Sequence, residues 1–350
     1  MKNERNYGID LLRLVLMYMV CILHTLGQGG ILEACEPGTT EYRTFWFLEI
    51  LSYCAVDGFA IISGYTAVDK PRKFEKLADM WFQAFFYSFV VTVILTIAGL
   101  NPAWSVKGLI KCAMPVTFGT FWYFTAFFAL FFAIPILNRF VFSADEQTAR
   151  IALMLMVVLF SCIELLSGVF KTDRGYSAFW LMVLYCMGAL AKRGSVFERK
   201  STVTLAAMWM ACIFLTWYVQ GIRGSDRLTS YVSPTILASG FIMVVMFSRL
   251  KLKGTIISKL SPLAFGIYLF HLNPILWKNC LRGSTAFAAK IGVFAGVAYV
   301  FGIAALIFMA GLAVEFMRSR LAKAIKIPEL SRKIVDFTNR LLQKVSVVLN

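Results

Sequence analysis

The sequence predicts an all-α membrane protein: a polytopic bundle of about ten transmembrane helices with an amphipathic C-terminal tail. Three observations carry this. Of 350 residues, 59% are hydrophobic and only 15% charged, against roughly 25% charged in an average soluble protein. The apolar residues come in long blocks of the length that crosses a bilayer, about 20 residues. The blocks are separated by short basic patches, which is how a multi-pass chain reads. A disordered chain and an ordinary soluble enzyme are excluded.

Taken in order, the segments near 9–28, 45–66, 79–99, 118–137, 149–169, 178–191, 201–220, 231–248, 261–279 and 291–315 are each apolar enough to span. The sixth is short. The stretch 102–117, with Pro102, Trp104, Lys107, Lys111 and Pro115, reads as an interfacial helix or a re-entrant piece. No cleavable leader is expected, because the first segment carries Asp10, Arg13 and His24 and lacks a small-residue cleavage site. Ten spans put both termini on one side. The loops then on that side hold 24 lysines and arginines and the opposite loops 10. This asymmetry predicts cytoplasmic termini and a plasma-membrane protein. It also accounts for the net charge of +16 without nucleic acid, since the positive charge is shared among several loops. Residues 1–315 therefore read as one transmembrane domain and 316–350 as a basic tail. Within the tail, Leu330, Ile334, Phe337, Leu341, Leu342 and Val345 interleave with Arg332, Lys333, Arg340 and Lys344, a pattern suited to an anionic bilayer surface.

Eight cysteines without metal-ligand spacing read as free thiols in a helix bundle, and no metal is expected. Ionisable residues inside spans are costly and mark cavities or interior pairs. Here they are Asp10, Arg13, His24, Glu49, Asp57, Glu164 and His271, with Glu315 at a span end. Arg13 and His24 are eleven residues apart, about three turns, so they share a face roughly 16 Å long at 1.5 Å per residue. Asp10 lies on the same face. Such a stripe suits a long anionic substrate that enters beside Arg13 and delivers its reactive end to His24. Glu49, Asp57 and Glu164 are candidates to orient the imidazole, and depth alone does not choose among them. Gly64, in Ser63-Gly64-Tyr65, permits a turn or a close helix approach. Lys70, Arg72, Lys73 and Lys76 form a basic loop able to hold phosphates. Trp122-Tyr123 open the fourth segment, where a membrane-interface aromatic is the default reading. Asn273-Pro274 follow His271 and would loosen the ninth helix there.

The first segment, with Arg13 and His24 separated by ten residues, resembles the first span of the acyltransferase family 3 membrane proteins. So do Ile9 to Leu14, Val56-Asp57-Gly58-Phe59 running into Ile62 to Tyr65, Phe121 to Phe124, Pro135 to Asn138 and Gly266 to His271. The resemblance covers about residues 5–315. It implies an integral-membrane O-acyltransferase that moves an acyl group, commonly acetyl, from cytoplasmic acyl-coenzyme A to a hydroxyl of a surface polysaccharide or a lipid-linked sugar. By the match, Arg13 and His24 are the essential pair. Asp57 or Glu49 would orient the ring, Tyr123 or His271 would assist at the acceptor end, and Arg72, Lys73 and Lys76 would hold the donor phosphates. The sequence departs from the family where paired arginines are common: Lys73 and Asp79 stand in that region. A transporter or flippase, and a non-catalytic membrane sensor, also explain spans with intramembrane charges; the first predicts paired breaks in two repeated halves, which the sequence lacks.

Overall fold

The computed structural model describes residues 5–67, 73–101 and 105–349, with side chains to 341. Its helices, in chain order, are α1 Tyr7–Ala34, α2 Thr40–Tyr65, α3 Phe74–Ile97, α4 Trp122–Ser143, α5 Glu146–Ser167, α6 Ala178–Arg193, α7 Thr202–Ile222, α8 Pro234–Ser248, α9 Thr255–His271, α10 Pro274–Lys290, α11 Val293–Ala324 and α12 Ile327–Leu349. Polar caps begin many of them. Asn6, Thr39, Asp145, Ser177 and Ser201 each accept a hydrogen bond from a first-turn backbone N–H. This satisfies donors that lipid cannot.

Among the described residues, seven of these helices (α1–α5, α7 and α11) are long and apolar enough to cross a membrane. An eighth crossing results if α9 and α10 are one span bent by 56°. Ten crossings are expected from the sequence; by length and composition the described helices supply seven or eight. The sixth and eighth segments form helices of only 16 and 15 residues, against the ~20 a span needs. Both are largely enclosed by protein: Trp180, Leu184, Tyr185 and Leu190 of α6, and Leu237, Ile242 and Val244 of α8, are buried. A helix walled in by its neighbours need not match the hydrocarbon thickness by itself. Residues 106–113 form a short exposed helix between α3 and α4.

The centre of the bundle is α1, α2, α6 and α8. Two glycines explain how closely α2 and α6 approach. A Cβ on Gly64 would sit 1.9 Å from the Tyr185 carbonyl oxygen, and one on Gly188 would sit 2.3 Å from that of Ile61. Gly64 therefore serves a helix crossing rather than a turn. The outer helices expose apolar ridges, such as Ile97, Ile136 and Phe294, as a lipid-facing surface requires. All eight cysteines are free. Helix α12 lies against α3, where the buried Ser331 hydroxyl donates to Asp79 Oδ1 at 2.6 Å. Leu330, Ile334, Phe337 and Leu341 of α12 are exposed.

The bend between α9 and α10 has a local cause. Pro274 has no N–H to continue the ladder. Asn273 starts the next helix, its side-chain oxygen accepting from Ile275 N and Leu276 N while its Nδ2 donates to the Tyr87 carbonyl and Thr92 Oγ1. His271 is thereby left at a helix end, turned inward and buried.

Candidate active site

A cavity of about 650 Å³ runs along α1. Arg13, Met17, Val20, His24 and Gln28 of α1 all line it. Their spacings of three or four residues confirm that they occupy one helix face, so the cavity follows the stripe from Arg13 to His24. Between these ends the wall is mostly apolar, with Phe59, Phe124, Phe127 and Phe265 among its residues.

At one end, Asp10 is shared by two guanidinium groups. Its Oδ1 accepts from Arg13 Nη1 at 2.7 Å and from Ser261 Oγ at 3.2 Å, and its Oδ2 accepts from Arg5 Nε at 2.5 Å. One carboxylate between two arginines leaves a net positive charge. Arg13 makes no other hydrogen bond among the described residues, so the rest of its fork is available to the cavity that it lines.

At the other end the two histidines meet. His24 Nδ1 lies 2.8 Å from His271 Nε2, and His271 Nδ1 lies 2.6 Å from the Ile267 carbonyl oxygen. A carbonyl only accepts, so His271 Nδ1 carries the proton. Between two neutral imidazoles, His271 Nε2 then accepts from His24 Nδ1–H. The chain of bonds fixes the tautomer of His24 and leaves the lone pair on its Nε2 free. Trp277 supports the ring edge-on, with centroids 5.3 Å apart. The backbone is specialised here too: α1 widens into a π-helical turn over His24–Gln28, a device frequent at functional sites. Its carbonyl at Thr25 accepts from Thr285 Oγ1 at 2.9 Å. A Cβ on Gly29 would sit 2.0 Å from that hydroxyl, so only glycine fits.

None of the carboxylates that the sequence offers as partners of His24 bonds to its imidazole among the described residues. Asp57 is fully buried and its Oδ1 accepts from Trp180 Nε1 at 3.1 Å. Glu49 lies beside the π turn, 3.7 Å from where a Cβ on Gly27 would be, but makes no bond to the imidazole. One oxygen of each, Asp57 Oδ2 and Glu49 Oε2, has no hydrogen-bond partner among the described residues. Glu164 is turned away to brace a loop: it accepts from Phe170 N, Thr172 N and Thr172 Oγ1 at 2.8, 2.8 and 2.6 Å. Tyr123 lines the cavity and its hydroxyl donates to the Val56 carbonyl at 3.4 Å. Lys73 and Lys76 are exposed at the start of α3 and do not line the cavity, although Met80 of the same helix does. Arg72 and Lys70 lie outside the described residues.

Several site residues have no distinctive sequence signal, among them Arg5, Trp277, Thr285, Tyr176 and Tyr231. Gln28 does have one, since it follows His24 by one turn. Among the described residues no group of three or more His, Cys, Asp or Glu could hold a metal ion.

A family model described as an acyltransferase domain matches residues 6–314. No curated protein and no solved structure matches the chain.

Proposed function

Since this chain belongs to acyltransferase family 3 and is an integral-membrane acyltransferase, we propose that it transfers an acetyl group from acyl-coenzyme A to a hydroxyl of a surface polysaccharide or lipid-linked sugar. The donor enters from the cytoplasm at the Arg13 end. The acceptor meets it at the His24 end, on the far side of a plasma membrane whose inner face carries both termini. One observation carries the reading: a single cavity joins a cationic end to an imidazole with a free lone pair, about 16 Å apart at 1.5 Å per helical residue. The pantetheine arm of coenzyme A is an extended chain suited to such a passage, and its phosphates are anions suited to Arg13 and to the basic loop with Arg72, Lys73 and Lys76.

His24 acts as general base through Nε2. The acceptor oxygen attacks the thioester carbonyl carbon while its proton passes to Nε2. The new C–O bond forms, the C–S bond breaks, and the leaving thiolate takes the proton back from the imidazolium. His271 touches no reacting atom in this scheme. It is a positioning residue that holds His24 in the productive tautomer, as the third member of a nucleophile–base–orienter triad does. Arg13 positions the donor.

The test is acetyl transfer to glycan by a His24→Ala variant that still inserts normally. General-base removal should cost about 10²- to 10⁴-fold in rate. Retained transfer would overturn the assignment of His24.

A further inference from the structure

The cavity wall contains a feature that general-base chemistry does not require. Trp122 and Tyr176 both line it, their ring centroids 4.7 Å apart and their planes inclined by 50°. Tyr231 backs Tyr176 at 5.0 Å, and Tyr53 backs Tyr231 at 4.8 Å. Tyr176 is nevertheless 47% exposed, so one side of the pair stays open. Membrane-interface aromatics do not need a braced loop, but this ring sits on one. Lys171, Asp173 and Arg174 have φ of 50°, 55° and 53°, a region that L side chains rarely adopt. The loop is clamped at both ends. Glu164 accepts its three hydrogen bonds from Phe170 and Thr172. Arg174 donates to Asp226 Oδ2 and to the Thr229 carbonyl, and its own carbonyl accepts from Tyr231 N and Ser230 Oγ. Gly175, with φ of 100°, lets the loop close onto Tyr231, whose Cβ would be 2.4 Å from an added Cβ. Strained backbone held this firmly presents a side chain for use.

The polar complement is Gln28. It lines the same cavity one turn beyond His24, is exposed, and its carboxamide has no hydrogen-bond partner among the described residues. A carboxamide supplies both donors and an acceptor. Aromatic faces stack on the C–H faces of a pyranose, while an amide pairs with neighbouring hydroxyls that both donate and accept. A simple alcohol or an acyl chain would use the rings but leave the amide idle.

We propose that Trp122, Tyr176 and Gln28 form the acceptor subsite, taking one pyranose ring so that a hydroxyl next to the one held by Gln28 points at His24 Nε2. This rests on the acyltransfer reading above and assigns the residues that would seat its sugar acceptor.

The experiment uses the full chain in nanodiscs. Saturation-transfer NMR measures binding of free hexoses, N-acetylhexosamines and their disaccharides, and of a disaccharide on a polyprenyl diphosphate. Thiol release from acetyl-coenzyme A is followed separately. Sugar binding to the wild type should weaken about tenfold in Trp122→Ala, Tyr176→Ala and Gln28→Leu, and stay within about threefold in Trp122→Phe and Tyr176→Phe. Tyr176 is half-exposed, so its alanine variant is the decisive one should Trp122→Ala fold poorly. Equal binding of the free and lipid-linked disaccharides supports a polysaccharide source, and preference for the lipid-linked one supports a carrier-bound sugar; both uphold the subsite. No binding by the wild type, or binding that ignores Tyr176→Ala, overturns it. Ring-dependent binding without any thiol release upholds the subsite and overturns the transferase reading.

Discussion

Replacing His271 tests the site at its most informative point. Its side chain is 5% exposed and makes two bonds, one that fixes its own tautomer and one that fixes that of His24. In His271→Leu the volume is roughly kept, but His24 Nδ1–H loses its acceptor in a low-dielectric interior. A buried donor left unpaired costs about 1–3 kcal/mol, or roughly 5- to 150-fold at 1.4 kcal/mol per decade. The ring can escape that cost by moving its proton to Nε2, which removes the base. Either way kcat should fall by about that factor, roughly 5- to 150-fold, read as thiol release from acetyl-coenzyme A with a saturating acceptor. The donor KM should change less than about twofold, because Arg13 is three helical turns away. His271→Gln is the control that separates orientation from packing. Its side-chain carbonyl is an acceptor at about the position of Nε2, so it should recover to within about tenfold of wild type. A leucine variant with full kcat, or a well-folded glutamine variant as slow as the leucine one, would refute the relay. Asp57→Asn, which keeps an acceptor for Trp180, should have little effect on kcat; a loss as large as that of His271→Leu would restore the carboxylate as the orienting group.

Arg13→Ala should raise the KM for acyl-coenzyme A by about tenfold or more, and Arg13→Lys should recover only part of it, since lysine is a point charge without the planar fork. Gly64→Ala and Gly188→Ala should each lower the thermal midpoint in detergent through a cost of at least about 1–3 kcal/mol, the usual range for overpacking, because the added carbons would overlap backbone oxygens. Asp145, at the exposed cap of α5, is held below the usual carboxylate range by hydrogen bonds from the Thr148 side chain and backbone N–H. Its depressed value means a stabilising contribution present above the unfolded pKa and lost as pH falls through the folded one. Asp145→Asn should therefore flatten the acid limb of the stability profile, as seen by thermal unfolding between pH 5 and roughly pH 3.

The stripe on α1 was legible because both its residues belong to one helix, whose period is fixed at 3.6. The interruption after His271 was legible for the same local reason, as Asn-Pro is a helix-start signal. What a single helix period cannot supply is azimuth between helices. Glu49, Asp57 and Glu164 all have a suitable depth, and the structure turns each toward a different neighbour: the π turn, Trp180 and the 170–172 loop. His271, 247 positions from His24, reaches it only because α9 ends at that residue and packs beside α1. Hydropathy alone does not count crossings, for a related reason. Hydropathy measures how apolar a segment is, and α6 and α8 are apolar because protein surrounds them, which says nothing about crossing the bilayer alone.

The choice of partner for His24 follows from where it sits. In a soluble hydrolase a carboxylate orients the base and balances the imidazolium, and water helps to carry the cost of that charge. Inside an apolar helix bundle an ionised carboxylate bonded to His24 would have to be held in a medium where isolated charges are severely penalised. A second imidazole gives the same directional information, a single acceptor lone pair aimed at Nδ1–H, without introducing an ion. The Ile267 carbonyl, which has a partial charge only, ends the relay. The ion pairs beside the cavity are those of Asp10 with Arg5 and Arg13, three turns away at the other end, where an anionic donor would meet them first. Charge at one end and neutral hydrogen bonds at the other are thus separated along the cavity.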